Sequence, residues 1–509
     1  MNTSSTKQSM ARIGTPEGKW ILLATVLGSS VVLLGSTVTN VALPHIGEDF
    51  STGLDALQWT VNAYMLTLAG LIMLGGSLGD RFGRRRMFII GLVWFAAASL
   101  LCGLAPDANT LITARALQGA GGALLTPGSL AIIESSFHPD DRARAVGLWS
   151  GFGGIGAAVG PFVGGWLVDG PGWRWTFLLN IPLALVCVPI ALRHVPESAG
   201  SAPVEARDTV AGKPTSPRRR GFDVSGAALG ALALALATYA LTEARNGSIA
   251  VALTGLGSVV AGVAFVVVER RQSDPMMPLA IFASRQFSAI NLITLCVYAG
   301  LGGFFFLTAL ELQIVVGYSA LEAGAAMLPN TLIMLIFSSH AGELVRRLGP
   351  RLPLTVGPLT CGVGMVLMLR VDAGASYVID ILPALLIIGA GMVVMVAPLT
   401  VTLLSSVDGR NAGLASGINN AAARASGLVA VAALPLLSGM GPDAYRSSTS
   451  FETSFSRAMP LCAAIMGVGS LVAFTTLRKA TAVSHRSPRH THGWLMEPPL
   501  APRLSHRYD

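Results

Sequence analysis

The sequence predicts an all-α polytopic membrane protein with fourteen transmembrane helices, arranged as six, two and six. Of its 509 residues, 52% are hydrophobic and only 12% are charged, and the mean hydropathy is +0.62. The charged residues leave long apolar runs between them, and about 20 apolar residues cross the hydrocarbon core of a bilayer. In lipid each such segment must satisfy its own backbone hydrogen bonds, so we expect helices. An internal repeat, described below, predicts the division into halves.

The predicted spans follow one another along the whole chain. Twelve runs contain no Asp, Glu, Lys or Arg: 20–44, 56–79, 87–106, 145–168, 175–192, 224–242, 246–268, 286–310, 323–342, 352–369, 381–407 and 458–477. Two more, 108–133 and 411–437, qualify apart from one interior arginine each, Arg115 and Arg424. The first run has no clear small-residue cleavage site, so we interpret it as a retained helix rather than a signal peptide.

The distribution of basic residues predicts the orientation in the membrane. The formal net charge is +8, with 35 Lys and Arg in total. With the N-terminus inside, most of them fall in cytoplasmic connections. Those expected on the outer side are Arg174, Arg245, Arg370, Arg446 and Arg457. This bias follows the positive-inside rule and predicts a multi-pass protein of the cell membrane with both termini cytoplasmic. It explains the basic balance, so no nucleic-acid partner is expected.

Polar segments predict the domain boundaries. We expect a cytoplasmic tail at 1–19, a flexible cytoplasmic linker rich in Pro, Ser and Gly at 193–222, a cytoplasmic loop at 270–285 and a disordered cytoplasmic tail at 478–509. Between them lie an N-terminal six-helix bundle at 20–192, two inserted helices at 223–269 and a C-terminal six-helix bundle at 286–477.

An internal repeat supports the two six-helix bundles. The segment "RAVGLWSG" at 144–151 returns as "RNAGLASG" at 410–417, and "GSLGDRFGRR" at 76–85 returns at the same offset as "GELVRRLGPR" at 342–351. Two matches at one offset predict that spans 1–6 repeat as spans 9–14. Parallel repeats of this kind occur in transporters, which bind their substrate near the bilayer midplane between the halves.

Four motifs carry information beyond hydropathy. They are "GSLGDRFGRRR" at 76–86, "LITARALQGAGGALLTP" at 111–127, "GAAVGPFVGG" at 156–165 and "LLGSTVTNVALPHI" at 33–46. In the first, glycines permit a tight turn and arginines hold the loop at the cytoplasmic face. In the second, an arginine inside a span costs about 2.5–3.5 kcal/mol to insert, so Arg115 is expected to face a polar cavity or a partner. In the third, glycines four apart offer a smooth face to another helix, and Pro161 bends its own helix.

Together these motifs resemble the major facilitator superfamily, and specifically its fourteen-helix drug:proton antiporter branch, over residues 20–480. The resemblance implies the major facilitator fold and a cytoplasmic loop latch in which the Asp80 carboxylate meets a helix N-terminus of the other half. It also implies a part for Arg115 in proton transfer and an exporter signature in the fifth helix. The latch residues are Gly76, Asp80, Arg81, Gly83, Arg84 and Arg85, and the signature residues are Gly156, Gly160, Pro161, Gly164 and Gly165.

The sequence does not identify the residue that carries the proton. The branch usually has an Asp at the position of Gly35, so the ordinary acidic group is missing. Weak candidates to replace it are Glu243, Glu311 and His340, together with Glu134; all lie near helix ends, where a solvated interfacial group is the alternative. Arg424 is near mid-span and is expected to face the central cavity, with structural pairing as the alternative. The predicted central-cavity and proton-coupling residues are Arg115, Gln118, Asn40 and Arg424.

These observations predict a secondary active multidrug or antibiotic exporter that exchanges a small apolar or cationic compound for protons by alternating access. We expect a monomer and no enzymatic activity, with no catalytic residue, metal or cofactor. The phosphate-binding pattern GxxxxGK[ST] is absent, which favours the proton gradient as the energy source. An importer or facilitator, or a receptor or scaffold without flux, remains an alternative. Arginine far outnumbers lysine, and in its overall composition the sequence resembles antibiotic-resistance exporters of actinomycete-type bacteria.

Overall fold

The computed structural model describes residues 10–198, 223–272, 275–407, 412–441, 444 and 447–477. The predicted tail at 478–509 and most of the predicted linker at 193–222 fall outside these residues. Of the predicted tail at 1–19, residues 10–19 are described, and α1 already begins at Pro16. Helices dominate the described part of the chain: α1 Pro16–Asp49, α2 Leu54–Phe82, α3 Arg84–Gly103, α4 Ala108–Ser136, α5 Pro139–Asp169, α6 Trp175–Leu178, α7 Asn180–His194, α8 Val224–Thr242, α9 Ile249–Arg271, α10 Arg285–Ile314, α11 Ala320–Ala326, α12 Leu328–Leu348, α13 Arg351–Leu367, α14 Leu382–Ser405, α15 Ala412–Leu437 and α16 Ser448–Thr476.

The predicted all-helical membrane class is confirmed. In the described residues, 13 helices are long and apolar enough to cross a membrane. Helix α5 has 31 residues and lies where the fifth span is predicted. The total of fourteen spans stays a prediction.

Local chemistry sets the helix boundaries. The Thr15 hydroxyl accepts a hydrogen bond from the backbone N–H of Gly18, and Asp107 caps α4 in the same way by accepting from Thr110. Such caps satisfy backbone donors that have no partner within the helix. At Gly83 the backbone takes φ +103°, which a side chain would disfavour. This glycine therefore lets α2 end and α3 begin within one residue.

The repeat found in the sequence recurs in the order of the helices. A shift by the offset of the two motif pairs carries α1 onto α10, α2 onto α11 and α12, and α3 onto α13. It also carries α4 onto α14 and α5 onto α15. Within the first set α4 packs against α2 and α3, and within the second α10 packs against α15 and α16. This register supports two related halves, whose exact boundaries stay a prediction.

The two halves are joined at one end of the bundle. We call the end at which α1 begins the proximal end, and the end at which α1 terminates the distal end. The Gln58 amide on α2 donates to the Val431 carbonyl on α15 at 2.7 Å, and the Gln313 amide on α10 donates to the Val41 carbonyl on α1 at 3.1 Å. In the described residues, the hydrogen bonds between the halves all lie in the distal part of their helices. The conformation is therefore closed at the distal end.

The inserted helices cover the seam between the halves. Helix α8 packs against α2 of the first half and α15 of the second, whereas α9 packs mainly on α8 and exposes most of its apolar surface. At the distal end the Arg245 guanidinium, in the turn after α8, donates to the Pro435 carbonyl of α15 at 2.6 Å. The inserted pair thus contacts both halves on one side of the bundle.

Candidate functional site

Arg115 is fully enclosed among the helices of the first half. Its side chain is 0% exposed on α4. Its guanidinium donates to the carbonyl of Thr60 on α2 at 3.0 Å, to the carbonyl of Gly35 on α1 at 3.2 Å and to the side-chain oxygen of Gln118 at 2.6 Å. The ring of Tyr64 lies 4.3 Å from the guanidinium carbon. Arg115 therefore faces inward, and its partners are neutral acceptors and an aromatic face.

Gln118 extends this cluster to two further helices. Its amide donates to the Ser99 hydroxyl of α3 at 2.7 Å, and the Asn180 amide of α7 reaches the same hydroxyl at 3.3 Å. The Tyr64 hydroxyl donates to the Val32 carbonyl of α1 at 2.8 Å. The Arg115 cluster therefore connects α1, α2, α3, α4 and α7. A part for Arg115 and Gln118 in proton transfer stays a prediction.

Gly35 has a specific neighbour where related transporters are expected to carry an acid. A Cβ atom at this position would lie 3.2 Å from the Phe95 ring on α3, so a larger side chain needs the ring to move. The Gly35 backbone carbonyl accepts a hydrogen bond from the Arg115 guanidinium at 3.2 Å. The backbone, rather than an acidic side chain, therefore solvates this charge.

Arg424 has a contrasting environment. It lies on α15, which packs against α2 of the first half and α10 of its own half, and its side chain is partly exposed. Among the described residues it forms no hydrogen bond and no ion pair. The phenol groups within its electrostatic range are those of Tyr64 and Tyr298. Arg424 is therefore an uncompensated charge at the seam between the halves.

Several buried polar atoms lie near this seam without a partner. Asn40 on α1, Asn62 on α2, and Thr308 and Glu311 on α10 each have at least one side-chain oxygen or nitrogen that forms no hydrogen bond. Buried polar groups are normally paired, and exceptions point to water or to a functional role. These atoms are therefore candidate sites for water in the distal part of the bundle.

Glu311 is the most isolated of the predicted proton carriers. The residue is 0% exposed, and neither carboxyl oxygen has a hydrogen-bond partner. Glu452 on α16 is the charged group within its electrostatic range. By contrast, Glu243 accepts a hydrogen bond from the Trp59 indole at 3.3 Å, and Glu134 is exposed near the proximal end. His340 belongs to a stretch whose side chains lie outside the described part.

The loop of the predicted latch docks on its own half in this conformation. Asp80 pairs with Arg84 one turn away at 2.9 Å, and Arg84 also donates to the Ala131 carbonyl of α4 at 3.0 Å. The backbone N–H of Arg85 donates to the Glu197 carboxylate at 3.1 Å. In the described residues, Asp80 therefore makes no contact with a helix N-terminus of the other half. The remaining latch residues are Gly76, Gly83 and the exposed Arg81.

The glycines of the fifth-helix motif lie at two helix contacts. A Cβ atom at Gly164 would lie 2.9 Å from the Val38 side chain of α1, and Gly160 faces Thr37 of the same helix. A Cβ atom at Gly165 would lie 2.5 Å from the Cα atom of Leu321 in the second half. The Pro161 carbonyl lies against Gly324 of α11, while Gly156 is helical in a stretch whose side chains are not described. The motif therefore permits close approach of α5 to both halves.

Sequence reasoning missed a contact at the distal end. The Asp169 carboxylate, the last residue of α5, accepts hydrogen bonds from the backbone N–H groups of Ala320 at 3.2 Å and Leu321 at 2.8 Å. These donors open α11 and have no acceptor inside their own helix. The only sequence signal is that an acid follows the fifth-helix motif and precedes "GPG" at 170–172. Nothing in that pattern identifies a partner 151 residues away.

Comparisons with known proteins agree with this architecture. A family model described as the Major Facilitator Superfamily matches residues 25–432. The multidrug resistance protein Stp of Mycobacterium tuberculosis is 34% identical over 86% of this chain and 78% of its own length. The puromycin resistance protein pur8 of Streptomyces alboniger is 36% identical over 84% of both chains. A probable actinorhodin transporter of Streptomyces coelicolor is 33% identical over 82% of this chain and 72% of its own.

Two solved structures share the fold at low identity. A peptide transporter POT in complex with sulfate has a TM-score of 0.64 and 16% identity, covering 91% of this chain and 96% of that one. A D-xylose-proton symporter has a TM-score of 0.63 and 16% identity, covering 91% of this chain and 98% of that one. At such identity the likeness shows the fold alone.

Proposed function

The chain belongs to the Major Facilitator Superfamily, and on that premise we propose that it exports a small, largely apolar drug or antibiotic in exchange for protons. Among its relatives, Stp is named a multidrug resistance protein, pur8 a puromycin resistance protein and a third a probable actinorhodin transporter. Membership of this family and 13 helices that could cross a membrane make it a multi-pass membrane transporter and not an enzyme. The direction of transport and the coupling ion are our proposals.

Export by alternating access is supported by the arrangement of the halves. The distal end is held closed by contacts of α5 with α11, α2 with α15 and α1 with α10. If the basic connections at the proximal end lie in the cytoplasm, a compound enters from the cytoplasm in this conformation. It leaves when the distal contacts separate. The Asp80 loop, docked on its own half, fits a latch that is released in this state.

The proposal of proton coupling rests on the environment of Glu311. An ionised carboxylate without partners inside a protein costs several kcal/mol, so such a group is protonated instead. Among the described residues, the acidic, basic and imidazole groups in the middle and distal parts of the helices that pack on α10 are His45, Glu48 and Asp49 on α1, Glu322 on α11, Arg424 on α15, and Glu452 and Arg457 on α16. None of them bonds to the Glu311 carboxyl group. We therefore assign a bound proton to Glu311 while the distal end is closed.

Opening of the distal end gives this proton a role. In the open state water reaches the Glu311 carboxyl group, and its proton then equilibrates with the outside. Protonation from the more acidic side removes the charge that prevents the distal end from closing. When a substrate binds from the proximal side, the proton leaves Glu311 past the unpaired polar atoms of Asn40 and Thr308. This release completes the cycle.

Efflux from cells with and without the gene tests this function. The panel holds a neutral, an acidic and a cationic compound: Nile red, 2-naphthoate and tetraphenylphosphonium. We expect cells that express the protein to retain less of at least one of them, and an uncoupler to abolish the difference. Glu311→Gln should remove gradient-driven efflux, while the exposed Glu134→Gln should leave it intact. Uptake instead of efflux would make the protein an importer, and no flux of any panel compound in purified vesicles would point to a receptor or scaffold.

A proton-release measurement separates coupling from folding defects. Purified wild-type protein in weakly buffered detergent solution should release protons when a transported panel compound is added, and Glu311→Gln should release none. The variant must still bind the compound for the comparison to count. Equal proton release from both proteins would exclude Glu311 as the carrier.

A further inference from the structure

We propose that Arg424 is the substrate anchor of the central site, and that the transported compound carries an acidic group on an otherwise apolar body. The acidic group is a carboxylate or an acidic phenol. This inference rests on the proposed export function and specifies the chemical class of the cargo. It keeps the apolar body that the sequence predicts and replaces the predicted cationic alternative by an acidic group.

The position of Arg424 places its charge near the middle of the bundle. On α15, the Val431 carbonyl accepts the Gln58 amide at the distal seam. Arg424 lies two helical turns from Val431 toward the proximal end, or about 10 Å along the axis. Gly427, one turn from Arg424, approaches α10 so closely that a Cβ atom on Gly302 would lie 3.0 Å from its Cα atom. Helix α15 is thus held against its own half and presents Arg424 at the seam.

The charge of Arg424 is not compensated by the part of the chain that the structure describes. Arginine stays protonated in proteins, and an ordinary tyrosine phenol is neutral near pH 7. The two phenols in electrostatic range therefore supply no negative charge, and the hydroxyl of Tyr64 already donates to Val32. The carboxylates of α2, Asp55 and Asp80, lie at its two ends. No described carboxylate is bonded to Arg424.

Comparison with Arg115 shows that this lack of partners is specific to Arg424. Both arginines interrupt apolar spans, and a charged side chain at such a position is costly to insert into a bilayer. Arg115 is saturated with acceptors from its own half and completely buried. Arg424 is partly exposed and keeps its donors free. Charged residues inside transmembrane segments mark substrate or ion pathways, and the free donors of Arg424 are available to a ligand.

The chemistry of the guanidinium selects the ligand. Its planar donors match a carboxylate in two parallel hydrogen bonds, and they repel ammonium groups. The neighbouring side chains on α10 and α15 are aromatic and aliphatic, Tyr298 among them. A compound with an apolar ring system and one acidic group therefore pairs its charge with Arg424 and packs its rings against these apolar side chains.

Binding of three matched probes tests the inference. Purified full-length protein is titrated with 2-naphthoate, 2-naphthamide and 2-naphthylmethylammonium, which share one apolar body and differ in charge. We expect the wild type to bind the acid at least about tenfold more tightly than the amide, as a charge-assisted hydrogen bond implies. Arg424→Gln should abolish this preference, and Arg424→Lys should retain part of it. Arg370→Gln, which removes a surface arginine paired with Asp380 at 3.4 Å, should leave it unchanged.

A protection experiment does not depend on the folding of a variant. Phenylglyoxal modifies accessible arginines, and peptide mass spectrometry measures its reaction with Arg424 in the wild type. We expect 2-naphthoate to protect Arg424 and the amide not to. Absence of both acid preference and protection in the wild type, or preference that persists in Arg424→Gln, would overturn the proposal. Because binding needs no gradient, such a result leaves the proposed proton-coupled export open, whereas failure of efflux alone leaves the anion site intact.

Discussion

At the residue scale, three ionisable side chains inside the spans have three different environments. Arg115 is saturated with hydrogen bonds, Arg424 has none among the described residues, and Glu311 is buried without a partner. The free energy of each group depends on its partners rather than on its depth alone. A structural role for the first, ligand binding for the second and proton binding for the third follow from this difference.

Replacement of Arg115 by lysine should destabilise the protein. The planar guanidinium donates to three acceptors, one each on α1, α2 and α4. The single ammonium group of a lysine cannot reach all three. Each hydrogen bond to the charged donor that is lost costs about 1.5–3 kcal/mol. We expect a lower midpoint in a thermal unfolding assay in detergent, together with loss of gradient-driven flux. Arg370→Lys at the surface serves as the control, and unchanged stability of Arg115→Lys would show that the cluster does not hold the helices together.

Sequence reasoning identified these residues but not their partners. An arginine in an apolar run stands out in any sequence, so Arg115 and Arg424 could be found without a structure. Their partners come from other helices, such as Thr60 for Arg115. Gly35 shows the limit most clearly. The sequence shows that the usual acid is missing there but not which group replaces it, and only the tertiary structure shows the Gly35 backbone carbonyl in contact with Arg115.

At the element scale, the contact of α5 with α11 determines whether the distal end can close. Gly165 and the Pro161 carbonyl lie against the start of the second half, and the Asp169 carboxylate caps the same segment. The motif at 156–165 predicts close packing from its glycine spacing alone. Its partner helix could not be predicted, because small residues define a smooth face without specifying what packs on it.

A side chain at Gly324 should keep the distal end from closing. A Cβ atom there meets the Pro161 carbonyl, which belongs to a helix backbone and cannot rotate away. We expect Gly324→Val to raise the reactivity of a cysteine introduced at the buried Gln58 toward an impermeant maleimide added from the distal side. Gly467→Val is the matched control, since a Cβ atom at Gly467 has no neighbour within 4 Å. Equal labelling in both variants would contradict a role for this contact in closure.

The inserted pair α8 and α9 shows what hydropathy can and cannot predict about an element. Both spans are recognisable as apolar runs, and both are helices in the structure. The position of α8 over the seam, with Gly70 of α2 against Ala231, depends on side-chain packing that has no periodic signal. Any separation of the halves must therefore slide α2 or α15 along α8.

At the scale of the whole molecule, the two proposed sites specify how much charge moves in one cycle. If an anionic acid leaves on Arg424 while one proton enters on Glu311, the net charge movement per cycle equals two positive charges moved inward. One elementary charge across 100 mV is worth about 2.3 kcal/mol. An inside-negative membrane potential therefore drives such an exchange even without a pH gradient.

Export of an acidic compound should accordingly respond to the membrane potential. In proteoliposomes loaded with 2-naphthoate, a potassium diffusion potential set with valinomycin, negative inside, should accelerate efflux at equal internal and external pH. Reversal of the potential should slow it, since both the anion and the proton then move against the field. Arg424→Gln should lose the response together with the flux, whereas the control Arg370→Gln should keep both. Efflux that proceeds at one rate under both potentials would mean that no net charge crosses, which is incompatible with an anion on Arg424 exchanged for a proton on Glu311.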